Sequence, residues 1–182
     1  MMGSLHVAVK NIIKMGNAGL ATPSQPFPNP ANPDLTVLDQ LIRDLRDSMD
    51  AEGGIGIAAP QIGYNLRVVT FGFDERGQGL DDENDIPWTV LLNPVIKPLS
   101  DEQVDGWEAC LSVPGLRGLV PRYQHIEYSG FDQFGHRLVR QVSGFHARVV
   151  QHECDHLDGV LYPQRISDLR FFGFEDELVA AS

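Results

Sequence analysis

The stretch VVQHECDHLDGV, residues 149–160, carries two histidines four positions apart, with a glutamate directly after the first. Set on a helix, His152 and His156 lie one turn apart on the same side, as two ligands of a single ion must. Glu153 lies roughly 100° round the helix from His152, where it can reach a water on the metal without being a ligand itself. The spacing therefore predicts a helix that carries part of a hydrolytic metal site.

The residues around this motif predict a helix with one apolar stripe. Phe145 and Val149 fall on the same side as the histidines, which indicates that the stripe faces the core. We expect the helix to begin at about Gly144 and to end at Gly159. Cys154 lies nearly opposite the stripe and is not expected to join the histidines. Two core histidines satisfied by hydrogen bonds are the alternative, so a third ligand has to decide between them.

Three parts of the chain are possible sources of that third ligand. One zinc-protease pattern requires a histidine six residues after His156, and Tyr162 stands there instead. Another takes a glutamate some twenty residues further on; Glu175 or Glu177 lies near that distance, although FFGFEDELVAAS leaves little room for the helix that would present it. The third source lies upstream, at Cys110.

Cys110 belongs to GWEACLSVPG, residues 106–115, with a glutamate two positions before it and a serine two positions after. A lone cysteine most often packs in a core. The chain also contains a glycine-rich segment, GGIGIAAPQIG at 53–63, whose small residues let a ligand or another backbone come close. Gln61 in that segment is a neutral amide with donors to give. Together these segments favour a site over simple packing.

The bulk composition is that of one globular domain, which we place at residues 1–182. Hydrophobic residues make up 42% and charged residues 21% of the chain. The net charge of −11 argues against a nucleic-acid partner and against an anionic membrane surface. No apolar stretch is long enough to span a bilayer. Two cysteines in a chain of this length favour the cytoplasm, where thiols stay reduced.

The order of predicted elements indicates an α+β fold. Apolar residues at helical spacing follow Asp34 or Thr36 as a cap, and the helix is expected to end at Gly53 and Gly54. These apolar residues are Leu38, Leu41, Ile42, Leu45 and Met49. Four later segments have strand character, the last two joined by the turn sequence DQFG, while an acidic loop at 74–87 has no assigned role. We therefore expect antiparallel or mixed sheets packed around the central His-Glu-x-x-His helix of the C-terminal half. The four strand segments are 67–73, 88–96, 125–132 and 136–142.

Three segments resemble, in order, the three motifs of the peptide deformylases: GIGIAAPQ at 54–61, EACLS at 108–112 and QHECDH at 151–156. The resemblance extends from the early helix to HLDGVLY after the metal helix. It implies an α+β enzyme that removes the formyl group from the N-terminal methionine of new polypeptides and releases formate. It also implies one divalent ion per chain, Fe²⁺ in the cell, with Zn²⁺, Ni²⁺ or Co²⁺ as substitutes.

The resemblance also implies roles for individual residues. Glu153 would act as general base and then as general acid while a metal-bound hydroxide attacks the formyl carbon. Gln61 and the backbone N–H of Leu111 would donate to the developing oxyanion. The metal ligands would be Cys110, His152 and His156.

Substrate contacts follow from the same resemblance and from apolarity. The peptide backbone would run along Ile55 and Gly56 and past Ala109. Phe145 and Val149, together with Ile55, are candidates for the methionine pocket. The family motif has glycine where Ala109 stands, and the added methyl group needs space and excludes backbone angles open only to glycine.

The expected partners are N-formylmethionyl nascent peptides. The ribosome is expected to be contacted transiently if at all, since FEDELVAAS does not resemble the basic terminal helix of some relatives. The chain is expected to be a monomer or a homodimer. Glu108 resembles a family glutamate that pairs with an arginine, here Arg122, and an ordinary surface charge is the alternative.

Two other functions stay open at this point. A zincin-type endopeptidase would use Glu175 or Glu177 as its third ligand. A non-catalytic protein of deformylase type would keep a metal for structure or bind formyl peptides. Glu153 and Gln61 argue against the non-catalytic protein, because neither is needed merely to hold an ion.

Overall fold

The computed structural model describes residues 9–73 and 86–179, so most of the acidic loop 74–87 lies outside the described residues. The first long helix, α1 (Leu35–Ala51), begins where sequence predicts, because the Asp34 side chain accepts hydrogen bonds from the N–H groups of Thr36 and Val37. It is followed by Gly53 with φ +66°, a left-handed conformation suited to glycine. No helix within the described ranges is long and apolar enough to cross a bilayer.

Two antiparallel sheets make up the strand content of the described residues. The larger has five strands in the order β1-β2-β3-β6-β7, and the smaller has three in the order β4-β5-β8. The strands are β1 (Gly56–Ala58), β2 (Val68–Phe71), β3 (Thr89–Pro98), β4 (Gln103–Cys110), β5 (Val113–Tyr123), β6 (His125–Phe131), β7 (Arg137–Ser143) and β8 (Phe172–Phe174).

The four strand segments expected from sequence are confirmed as β2, β3, β6 and β7, and the DQFG turn joins the last two. Asp132 fixes this turn by accepting hydrogen bonds from the N–H groups of Phe134 and His136. The hairpin β4–β5 was not predicted from sequence. Its strands contain Gly106, Pro114 and Pro121, which interrupt the alternating pattern on which strand prediction depends.

The second long helix, α2 (Gly144–Leu157), carries the histidine motif and lies between the two sheets. One side of α2 packs on the five-stranded sheet through Ala147, Val150 and Cys154. The histidine stripe is therefore not the only core-facing side, because both sides of the helix are covered. A five-residue helix, α3 (Glu175–Val179), follows β8, so the C-terminal segment does form a short helix against the expectation of little room.

Strand β2 of the large sheet is buried on both faces, so this part of the sheet is a layer between two hydrophobic cores. In β2, Val68 points to a core shared with α1, whereas Val69 and Phe71 belong to the core shared with α2. A third and smaller core around Val120 and Tyr162 lies under the three-stranded sheet. The order α1, large sheet, α2, small sheet places the histidines at the boundary between α2 and the small sheet.

Candidate active site

The third ligand candidate that reaches the histidines is Cys110, the last residue of β4. The potential ligand atoms of Cys110, His152 and His156 all lie within 4.8 Å of one another. Cys110 Sγ is 3.3 Å from His156 Nε2. The β4–β5 pairing shifts register between Ala109 and Cys110, so the cysteine lies at an irregular strand end rather than within the regular ladder. Among the described residues, no other group of three such side chains meets this distance limit.

These residues fit a divalent transition-metal ion. His152 Nδ1 donates to Glu108 Oε2 at 2.8 Å, which leaves its Nε2 as the ligand atom. A thiolate with two imidazoles is a donor set that suits iron, zinc, nickel or cobalt. Beside them, Glu153 Oε2 is buried and has no hydrogen-bond partner among the described residues, as expected for a carboxylate whose partner belongs to a liganded site.

Glu153 is an acid whose environment suits proton transfer. Burial raises the pKa of Glu153 from 4.5 to about 7, against the opposing charge of His152. A carboxyl group with a pKa near the working pH can both accept and release a proton. Gly56 of β1 lies directly against this side chain, and a methyl group at position 56 would overlap the Glu153 carboxylate.

Substitution of Gly56 by alanine is expected to lower turnover about 100-fold, because the new methyl group would displace the Glu153 carboxylate from its position. Gly173→Ala is the matched control, since its added methyl would make only ordinary contacts, the nearest at 3.6 Å. Steady-state kinetics of both variants, with the metal content measured, checks this expectation. Parental turnover in the Gly56 variant would contradict the placement of Glu153.

Gln61 presents its amide nitrogen to the metal site. Its Oε1 accepts the N–H of Ala58 at 2.8 Å, which fixes the orientation of the amide. Its Nε2 then donates to Ser112 Oγ at 3.1 Å and lies 3.6 Å from Cys110 Sγ. Gln61 is only 2% exposed and follows Pro60 in a short 3-10 helix. A fixed donor beside the ligands can stabilise a developing negative charge.

The N-terminal segment forms main-chain hydrogen bonds both with Gln61 and with the segment that accepts a hydrogen bond from its side chain. The N–H of Ile13 donates to the Gln61 carbonyl at 2.9 Å, and the N–H of Met15 donates to the Ser112 carbonyl at 2.8 Å. Sequence reasoning missed these contacts because main-chain hydrogen bonds between distant segments leave no residue pattern. They hold the Gln61 loop and the Cys110–Ser112 segment together.

Glu108 is the centre of a buried ion-pair network and not a surface charge. The Arg122 guanidinium donates to both of its oxygens, at 2.8 and 2.9 Å, which agrees with the pairing inferred from resemblance. Burial raises the pKa of Glu108, but hydrogen bonds from Arg122 and His152 outweigh it and hold the pKa at about 2. Arg122 also pairs with Asp155 of α2, which in turn pairs with Arg165. Glu108 is therefore ionised at neutral pH.

A cleft of about 540 Å³ opens over Cys110 and His152, two of the three candidate ligands. It is bounded on one side by the glycine-rich segment and on the other by the end of β4 and by α2. Its walls include all of the residues for which substrate contacts or an oxyanion role were expected: Ile55, Gly56, Gln61, Ala109, Leu111, Phe145 and Val149. Phe145 is 41% exposed at the rim, whereas Val149 is buried.

Ala109 occupies its position without strain. It is exposed and lies in β4, paired with Arg117 of β5. Within the described ranges, only Asn29 and Asn93 among non-glycine residues have positive φ, so Ala109 does not need an angle reserved for glycine. The methyl group instead adds to the wall of the cleft.

Glu175 also lines the cleft but pairs with Arg117, with Oε1 3.6 Å from Nη1. Neither Glu175 nor Glu177 belongs to the ligand group formed by the described residues. The endopeptidase pattern with a glutamate ligand is therefore not the one that this site forms. Cys110, and not a glutamate, is the third member of this candidate group.

A His-Glu-x-x-His helix completed by a cysteine, in an α+β fold, defines a class of metal-dependent hydrolases. The model of the polypeptide deformylase family matches residues 9–171, and the chain belongs to this family. It is 54% identical to "Peptide deformylase 2" of Ralstonia nicotianae over 170 residues, covering 93% of this chain and 94% of the relative. It is 55% identical to "Peptide deformylase 1" of Bordetella pertussis over 167 residues, covering 92% and 93%.

A solved structure supports the same assignment. The chain resembles the class I type b peptide deformylase of Acinetobacter baumannii bound to Met-Ala-Ser, with a TM-score of 0.75 and 33% identity. The match covers 86% of this chain and 99% of that one. The resemblance drawn from the three sequence motifs is thus confirmed, as are the α+β fold and the assignment as a peptide deformylase, a hydrolase.

Proposed function

We propose that this deformylase removes the formyl group from formylmethionine at the start of new polypeptides, with Glu153 as general base and acid and with Gln61 and Leu111 as oxyanion donors. The observation that carries the proposal is the convergence of Cys110 with the two histidines of α2, beside a buried Glu153 carboxylate oxygen that has no partner in the described part of the chain. The A. baumannii relative bound to Met-Ala-Ser supports a peptide that begins with methionine as the ligand of the cleft. The catalytic domain would comprise residues 1–182.

Cys110, His152 and His156 would hold one divalent ion. When bound, such an ion makes water a stronger acid, so that a nucleophile is available at neutral pH, and it polarises a carbonyl oxygen. We propose Fe²⁺ as the ion in the cell and Zn²⁺, Ni²⁺ or Co²⁺ as substitutes, since all of them accept mixed sulfur and nitrogen donors.

Glu153 would transfer the proton from the attacking water to the leaving amine. Its buried Oε2 would accept a proton from the attacking water, and its raised pKa would allow the same oxygen to return that proton to the leaving amine. The amine then departs as the free N-terminus of methionine, and the formyl group leaves as formate. Burial keeps bulk water from competing for the proton.

The charge that develops on the formyl oxygen would be met by two donors. The orientation of Gln61 Nε2 is set before the reaction, because the Oε1 of the same amide accepts a hydrogen bond from the N–H of Ala58. The N–H of Leu111 follows the metal ligand Cys110 directly in the chain. Loss of one such donor costs about 3 kcal/mol of barrier in comparable sites.

The substrate would lie between the glycine-rich segment and the end of β4. Ile55 and Gly56 would contact the peptide backbone from one side, and Ala109 from the other. Phe145 and Val149, with Ile55, would surround the methionine side chain. Gly56 lies directly against Glu153. This close approach would leave room for a formyl hydrogen but little for the methyl of an acetyl group.

Formate release from formyl-Met-Ala-Ser by freshly iron-loaded protein tests this function. Formate should appear in stoichiometric amount with Met-Ala-Ser, while acetyl-Met-Ala-Ser should react at least about 100-fold more slowly, since a misfit at the reacting centre is costly. Metal content is measured on the same sample. Iron-loaded protein that binds the peptide but releases no formate would contradict the proposal and favour a formyl-peptide-binding protein.

A further inference from the structure

Arg148 lies one helical turn before His152 on α2 and reaches four acceptors at once. Its Nη1 donates to Glu108 Oε1 at 2.9 Å and to the Val120 carbonyl at 2.8 Å, with the Gly106 carbonyl at 3.3 Å. Its Nη2 donates to the Val104 carbonyl at 2.6 Å. The side chain is 13% exposed, and its contacts with Glu108 and with the Gly106 and Val120 carbonyls are partly shielded from water, which strengthens them. The contact with the Val104 carbonyl lies at the exposed edge.

The Glu108 carboxylate has all of its acceptor positions occupied as a result. Oε1 accepts from Arg122 Nε and from Arg148 Nη1, whereas Oε2 accepts from Arg122 Nη2 and from His152 Nδ1. A carboxylate offers about four such positions. Rotation of Glu108 away from His152 would therefore break several charge-assisted hydrogen bonds together.

The two arginines hold Glu108 from different parts of the fold. Arg122 belongs to β5 and is shared with Asp155. Arg148 belongs to α2, the helix that also carries His152. The Glu108 carboxylate is therefore bound by two side chains of the same helix, so its position relative to the imidazole is fixed. It also joins this helix to β4 and β5 through their carbonyl groups, and a side chain at Gly106 would overlap its guanidinium.

We propose that Arg148 is a positioning residue of the metal centre, which keeps the Glu108 carboxylate against His152 and the Cys110 strand against α2. This inference rests on the metal site in the proposed function and adds a residue to it. Arg148 is not a ligand. Partners of ligating histidines tune metal affinity through the orientation and basicity of the imidazole, and Arg148 acts one contact further out.

Metal binding to an Arg148→Met variant tests the proposal. Methionine keeps an unbranched apolar stem along the cleft and removes all four donated hydrogen bonds. We expect the variant to bind Co²⁺ about tenfold more weakly in competition with a chelator, and to show an altered visible absorption of the bound ion. Arg148→Lys should restore part of the affinity, because an ammonium group can still donate to Glu108.

Arg67→Met is the matched control. Arg67 also contacts α2, through the Leu157 carbonyl at 3.2 Å and Asp158 at 2.7 Å, and it is similarly shielded, but it does not touch Glu108 or His152. It should lower thermal stability and leave Co²⁺ affinity and absorption unchanged. An equal loss of affinity in both methionine variants would overturn the proposal, because loosening of the helix alone would then explain it.

Parental Co²⁺ affinity and absorption in Arg148→Met would also overturn the proposal. Should the methionine variant fail to fold, Arg148→Leu carries the same test, since leucine also removes every hydrogen bond that Arg148 donates, and parental affinity there has the same meaning. These measurements do not depend on turnover. Absence of formate release from the parent would contradict the proposed function and leave the result on Arg148 standing.

Discussion

Replacement of Glu153 by alanine is expected to lower deformylation by a factor of about 10³ or more while a divalent ion stays bound. General acid–base groups contribute on the order of 10²–10⁴ to such reactions, and Glu153 is proposed to serve twice in one turnover. The three candidate ligands are untouched by the change. Formate release from formyl-Met-Ala-Ser, with metal content measured on the same sample, checks both parts of the expectation.

The control for this variant is Glu177→Ala, which removes an exposed carboxylate of α3. It should keep parental turnover. A second variant, Glu153→Gln, keeps the shape of the side chain but cannot take up a proton, so its turnover should be as low as that of the alanine variant. A fully active Glu153→Gln protein would contradict the role as general base.

Substitution of Cys110 by serine is expected to weaken metal binding more than about 100-fold. Changing the hydrogen-bond partner of a ligand costs about 10- to 100-fold in affinity, and this substitution alters a proposed ligand itself. A serine hydroxyl stays protonated at neutral pH, whereas a metal-bound cysteine is a thiolate. Turnover should fall to the background level with the loss of the ion. Titration of the metal-free protein with Co²⁺ gives the change in affinity directly.

Cys154→Ala provides the matched control, since it alters the other cysteine, which lies on the side of α2 that packs against the five-stranded sheet. We expect it to cost some stability and to leave metal affinity unchanged. Retention of tight metal binding by the Cys110 variant would instead mean that the third ligand comes from elsewhere, as it would in an endopeptidase with a glutamate ligand.

The sequence was sufficient to predict the elements whose residues repeat regularly. The apolar runs of β2 and β3, and the four-residue spacing of His152 and His156, each indicate the local structure that is found. The pairing of Glu108 with Arg122 came from resemblance and is present. The hairpin that presents Cys110 was missed, because glycine and proline interrupt its strands.

The supporting contacts of the site were beyond sequence reasoning for a different reason. Arg148 stands four residues before His152, so their common side of the helix was readable, but its acceptors are carbonyl groups of β4 and β5. Such contacts depend on how the small sheet packs against α2. Asp155 likewise forms ion pairs with Arg122 and Arg165, which belong to other segments, so its role could not be inferred from its own helix.

The three candidate ligands belong to two structural units, since Cys110 ends a strand of the small sheet and the histidines lie on a helix packed against the large one. An ion held by all three would cross-link these units and close a loop of the chain, much as a disulfide does. Free ion at 1,000 times the dissociation constant would add about 4 kcal/mol to the free energy of unfolding. The ion that serves the chemistry would thus also stabilise the fold, and its loss would lower the free energy of unfolding as well as abolish activity.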